Sequence, residues 1–145
     1  LQSLTLVGSV GINVEGAPPP VYLFDKTPEE TMRLALTDEK IIEELLSRTL
    51  SQEQIKINER NLATAEQYVS TPYSADLHNW LHRIDVPTLI LGGDGDGLIS
   101  PAYLREFEKR IPNFRMQMLE NCGHIPSLER PDLLNRVFRE FGAEM

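Results

Sequence analysis

The sequence is poor in cysteine, tryptophan, positive charge and long apolar runs, and each shortage removes a class of protein. A single cysteine, Cys122, in 145 residues excludes an internal disulfide framework. It suits a reducing compartment, so a cytoplasmic location is expected. No stretch approaches the roughly 18 consecutive apolar residues of a membrane span, and no membrane partner is expected. The opening LQSLTLVGSVGI has no basic n-region and does not read as a signal peptide. Fourteen Lys and Arg stand against 22 Asp and Glu, a net charge of −8. With no basic stripe to neutralise phosphates, a nucleic-acid partner is not expected. Internal repeats and low-complexity tracts are also missing.

What is present is ordinary for a globular domain: 41% apolar and 25% charged residues, enough for one real core. The chain has no initiator Met and begins within an apolar run, as a chain does that starts inside a larger one. Three regions follow. Residues 4–12, LTLVGSVGI, form a short apolar run that suits a strand buried on both faces of a parallel sheet. NVEGAPPP then breaks any regular structure. Residues 27–80 read as helical. Thr27-Pro28-Glu29-Glu30 and Ser51-Gln52-Glu53-Gln54 are capping boxes. Ile41, Ile42, Leu45 and Leu46 make a stripe of helical period, and Ile55, Leu62 and Val69 recur every seven residues. This region reads as a small helical subdomain covering something and taking no part in a sheet.

Residues 84–145 have the clearest order. VPTLILGG (86–93) is a buried strand stopped by two glycines, and Ser100-Pro101 caps a helix with Leu104, Phe107 and Ile111 on one face. NFRMQMLE (113–120) alternates as a less buried strand. Pro131 opens a last helix, with Leu134, Val137, Phe138 and Phe141 at helical spacing. Strand, helix, strand, helix predicts parallel strands with a right-handed crossover. In such sheets functional groups gather at the carboxyl ends of the strands. Two loops lie there: GGDGDGLISP, with Asp94 and Asp96, and ENCGHIPSLERP, with His124. One helix and one strand separate Asp96 from His124, which places both on one edge of the sheet. A carboxylate there would fix the imidazole tautomer and stabilise its charged form.

These residues carry a resemblance. VPTLILGGDGDGLISP resembles the α/β-hydrolase strand that ends in the acid of a catalytic triad. ENCGHIPSLERPDLLNRVFREF resembles the same superfamily's final strand, histidine loop and closing helix. The resemblance covers residues 74–141 best. It implies an α/β fold: the C-terminal part of an α/β hydrolase, with parallel strands, flanking helices and a helical lid. On that reading residues 1–16 are a core strand, 17–80 the lid and 81–145 the C-terminal core. The implied catalytic residues are Asp96 as acid and His124 as base, with Asp94 a turn residue. TPYSADLHNWLHRIDVPTLILGG looks like the branch that cleaves esters or the carbon–carbon bond of ring-cleavage products. A small, largely apolar carbonyl substrate is implied, with no cofactor and no metal.

The family's serine sits in a tight strand-to-helix turn upstream of acid and histidine. Ser9, in LVGSVGI, fits poorly. Val7 stands where that turn needs a small residue, and NVEGAPPP cannot form the helix that follows it. The nucleophile is therefore expected upstream of Leu1, in the N-terminal half of the same fold, and the chain alone is expected to be inactive. A carboxylate nucleophile, as in haloalkane dehalogenases and epoxide hydrolases, remains open. Tyr22, Tyr68 and Tyr73 cannot be assigned as epoxide-activating phenols. The competing reading is a non-catalytic relative that binds a small ligand in the same pocket. Cys122 has no flanking base to make it a nucleophile. His78 and His82, four apart with Asp76 and Asp85 nearby, read as a polar face more readily than as a metal site. Trp80 is expected to pack where the helical region rejoins the sheet.

Overall fold

The segment Thr88–Gly93, with Leu89, Ile90 and Leu91 as its apolar centre, makes the central strand of the molecule, and all six of its residues are buried. The computed structural model describes residues 1–13, 15, 17–69 and 73–144. Val14 and Gly16 of the expected breaker segment, residues 70–72 and Met145 lie outside the described residues. In chain order the elements are β1 (Leu4–Val7), β2 (Gly11–Ile12), α1 (Pro28–Ala35), α2 (Glu39–Ser47), α3 (Gln52–Tyr68) and β3 (Tyr73–Ser74). Two 3-10 turns follow, Leu77–Asn79 and Leu81–Arg83. The chain continues as β4 (Thr88–Gly93), α4 (Pro101–Glu108), β5 (Phe114–Leu119), α5 (Pro126–Glu129) and α6 (Pro131–Ala143). No helix among the described residues is long and apolar enough to cross a membrane.

β1, β4 and β5 form a parallel sheet in that order, with Leu6 opposite Ile90 and Ile90 opposite Met116. Side chains alternate across a strand, so β4 feeds two cores. Ile90 packs with Leu104, Phe107 and Ile111 of the α4 side, where Ile12, Leu36 and Ile42 join them. Leu89 and Leu91 pack with Leu134, Val137 and Phe141 of α6. The βαβα series read from the sequence is thus an α/β fold with helices on both faces of the sheet.

Local chemistry sets the helix starts as expected. Thr27 and Glu30 close a capping box on α1, Ser51 and Gln54 another on α3, and the Ser100 hydroxyl accepts from Tyr103 N. Several expectations need correcting. Residues 4–12 are two strands, because the chain turns at Gly8, whose φ is +54°. β1 is only half-buried, since it lies at the edge of the three-stranded sheet. Residues 27–80 do join a sheet: Tyr73–Ser74 pairs in parallel with Gly11–Ile12. The seven-residue recurrence in α3 marks no buried stripe, and Leu62 is 57% exposed. One apolar residue per two turns is too narrow a face to bury a helix. Trp80 is 54% exposed rather than packed, because the 3-10 turns send Leu81 inward; the Arg83 guanidinium lies 5.6 Å from its ring centre.

Tyr103 of α4 secures the short strand β2. Its buried hydroxyl accepts from Gly11 N (3.1 Å) and Ile12 N (2.9 Å) and donates to Ile12 O (2.7 Å). Burial raises the phenol's pKa, so it stays a neutral donor. Tyr103→Phe leaves three backbone groups without their partner and is expected to destabilise the fold by about 1–3 kcal/mol. Urea unfolding checks this as a lower midpoint at unchanged slope.

Candidate active site

β4 and β5 end side by side, and the loops that leave them cross. Gly93 makes the crossing possible: a Cβ there would lie 2.0 Å from Cys122 O and 2.3 Å from Gly123 O. The loops are then stitched together by Asp94 N donating to Leu119 O (3.0 Å), Gly95 N to Cys122 O (2.9 Å) and Cys122 N to Asp94 Oδ1 (3.3 Å). Asp94 sits in the turn directly after β4 and its side chain holds the neighbouring loop, away from the His124 ring.

Asp96 and His124 meet. Oδ2 of Asp96 is 2.9 Å from Nδ1 of His124, and the carboxyl is 1% exposed. Its other oxygen accepts from Leu98 N (2.8 Å) and Ile99 N (3.1 Å), which fixes the carboxylate plane. An ionised carboxylate only accepts, so in the neutral imidazole the proton belongs on Nδ1 and the lone pair on Nε2. Nε2 makes no hydrogen bond among the described residues. The ring packs against Gly8, where a Cβ would come within 2.9 Å of Cε1. A side chain at position 8 would push the imidazole aside.

Above the ring lies a cavity of about 190 Å³. Val10, Val21, Tyr22, Phe24, Leu98 and Ile99 contribute to its wall. Its described lining holds no Asp, Glu, Lys or Arg, and its polar side chains are His124 and Tyr22.

Two backbone hydrogen bonds and one buried carboxylate fix the two loops to the joint between α1 and α2. His124 N donates to Ala35 O (2.7 Å) and Gly97 N to Leu34 O (2.9 Å). The Glu129 carboxylate, 6% exposed, holds Gly123 N on one oxygen and Thr37 N on the other. Sequence reasoning missed Gly8, Glu129 and this joint. Glu129 was legible only as part of Glu-x-Pro before the closing helix, and nothing local announces its partners some ninety residues away.

Other candidates do not assemble. Ser9 lies just past the bend at Gly8, half-buried, with no hydrogen bond to His124 among the described residues. His78 and His82 fall in separate 3-10 turns, so the i, i+4 helical face is not formed. Among the described residues no group of three His, Cys, Asp or Glu side chains is placed to hold a metal ion. Tyr22 lines the cavity, whereas Tyr68 is exposed on α3.

A parallel α/β sheet with an acid–imidazole pair at its carboxyl edge defines a class of fold, and comparison with known proteins gives the family. The family model described as the alpha/beta hydrolase fold matches residues 22–131. The chain belongs to the alpha/beta hydrolase fold family. It is 27% identical to Lipase 1 of Psychrobacter immobilis over 143 residues, covering 91% of this chain and 45% of that protein. It is 32% identical to the monoacylglycerol lipase ABHD6 of Homo sapiens over 79 residues, 54% of this chain and 23% of that protein. The meta-cleavage product hydrolase from Pseudomonas fluorescens IP01 superposes with a TM-score of 0.71 at 18% identity. That superposition covers 99% of this chain and 56% of the hydrolase, and shows the shared fold. The chain thus spans about half, or less, of the length of the relatives it matches.

Cys122 is fully buried beside the ring loop, and its thiol pKa is pushed up to about 11, first by burial and then by the Glu129 charge. At pH 8 that leaves about one thiolate in a thousand. Maleimide is expected to label Cys122 slowly in the native protein and fully in guanidinium chloride, read by intact mass.

Proposed function

We propose that this chain supplies the acid and the base of a serine-type hydrolase that cleaves neutral esters with apolar acyl groups. The observation that carries the reading is the Asp96–His124 hydrogen bond at the floor of an apolar cavity. In this reading His124 Nε2 takes the proton of a serine hydroxyl as it attacks the ester carbonyl. Asp96 holds the ring and stabilises the imidazolium that forms. His124 then returns the proton to the leaving alcohol, and the same base activates water to release the acyl group. The serine and the oxyanion donors come from segments outside these 145 residues. The segment 17–80, which carries α1, α2 and α3, acts as a lid over the pocket.

The cavity chemistry favours an ester over an anionic ring-cleavage product. No cation among the described lining residues would meet a carboxylate, and burying that charge unpaired is costly. The described cavity of about 190 Å³ has an apolar wall, which favours an apolar acyl group. Kinship with Lipase 1 and ABHD6 supports carboxylic ester cleavage.

The test uses the full-length protein and a series of p-nitrophenyl esters alongside an anionic dienoate. Hydrolysis of neutral acyl esters is expected, with little turnover of the dienoate. Asp96→Asn is expected to lower kcat by about 10⁴-fold, the order seen when the ring is held in the wrong tautomer, and His124→Ala by at least as much. Ligand binding without turnover would point instead to a non-catalytic pocket. Unchanged kcat in Asp96→Asn would remove the triad.

A further inference from the structure

Glu129 is the most deeply buried carboxylate that the proposed chemistry leaves unused. At 6% exposure it makes no ion pair among the described residues. Its charge is met by donors alone. Oε1 accepts from Thr37 N (2.6 Å), Thr37 Oγ1 (2.7 Å) and Asp38 N (3.0 Å), while Oε2 accepts from Gly123 N (2.6 Å). Four donors to one carboxylate make charge-assisted hydrogen bonds that hold two chain segments at a fixed separation. One segment is the joint after α1; the other is the residue before His124.

The same joint receives the main chain of both loops, through Gly97 N to Leu34 O and His124 N to Ala35 O. Gly123 is pressed between the two, for a Cβ there would lie 2.3 Å from Ala35 O and 2.8 Å from Glu129 Oε2. The direction in which His124 leaves its loop is therefore set by three things: the Ala35 carbonyl, the Glu129 carboxylate and the Asp96 carboxylate that accepts the hydrogen bond from its Nδ1–H.

We propose that Glu129 is a positioning residue: its carboxylate, bridging Gly123 N–H and the Thr37–Asp38 joint, holds the His124 ring in line with Asp96. This rests on the reading of His124 as the base. The carboxylate form is required because every partner donates. An amide in its place has one oxygen and one NH2 group. With the oxygen toward the three donors of the joint, the NH2 faces Gly123 N–H, donor against donor, and drives the histidine loop away. Aspartate keeps the charge but is shorter by one methylene, so it reaches one segment at a time.

The test compares wild type, Glu129→Gln, Glu129→Asp and the exposed loop control Glu120→Gln in the full-length protein. Two readouts are used: kinetics on a neutral p-nitrophenyl ester, and the downfield ring N–H proton of His124 by NMR. Glu129→Gln is expected to lose or broaden that proton and to lower kcat on the order of 10- to 100-fold, as for an active group displaced by about 1 Å. KM should stay nearly constant, because Glu129 does not line the cavity. Glu129→Asp should fall between, and Glu120→Gln should match wild type. If Glu129→Gln fails to fold, Thr37→Val removes only the hydroxyl donor and should weaken the same ring proton. A Glu129→Gln protein that melts earlier yet keeps both kcat and the ring proton overturns the proposal, as does an unaltered ring proton in Thr37→Val. A wild-type protein that hydrolyses no ester, but whose ring proton still depends on Glu129, sinks the proposed function and leaves the positioning role standing.

Discussion

Six consecutive residue pairs hold β4 parallel to β5, from Thr88 against Phe114 to Gly93 against Leu119, and the two strands end together. Parallel strands send the chain out at the same edge. The loops that bear Asp96 and His124 therefore emerge as neighbours although 28 positions separate those residues. Without a side chain at position 93 the second loop lies directly across the end of the first strand. Asp94, Gly95 and Cys122 then lock the crossing with hydrogen bonds. The 2.9 Å contact between carboxylate and imidazole is a consequence of this crossing.

A second constraint comes from the helical part of the chain. Leu34 and Ala35, at the end of α1, offer carbonyls that an uncapped helix terminus leaves without partners. The amides of Gly97 and His124 take them. One helix end thus satisfies its own backbone by holding both loops, and Glu129 seals the junction from beneath. Helix termination and site construction are the same set of hydrogen bonds here.

How much of this was legible in the sequence depended on range. Caps such as Thr27 with Glu30 and Ser51 with Gln54 are three residues long and could be read directly. The meeting of Asp96 with His124 followed from counting elements, since a strand–helix–strand unit fixes which edge each loop occupies. The chemical role of the pair does not follow from the count. Glu129 to Thr37 spans 92 positions and Tyr103 to Ile12 spans 91, and no periodicity encodes such contacts. Trp80 and the α3 stripe misled because apolar character alone does not place a residue inside. Trp80 follows Asn79 at a break between two 3-10 turns, and α3 buries no side chain at all.

Because the helical segment is bolted to the loops at residues 34–38 and buries nothing along α3, its two ends answer to different pressures. The joint must keep its backbone path for the imidazole and carboxylate to meet. Ile42 of α2 and the Tyr73–Ser74 strand stay tied to the core and to β2, whereas α3 is free to change charge and apolar content with little effect on the sheet edge. A graft that swapped α3 between relatives, with its crossover placed after α2, would remodel the cavity wall near Val69 while its floor stayed where it is.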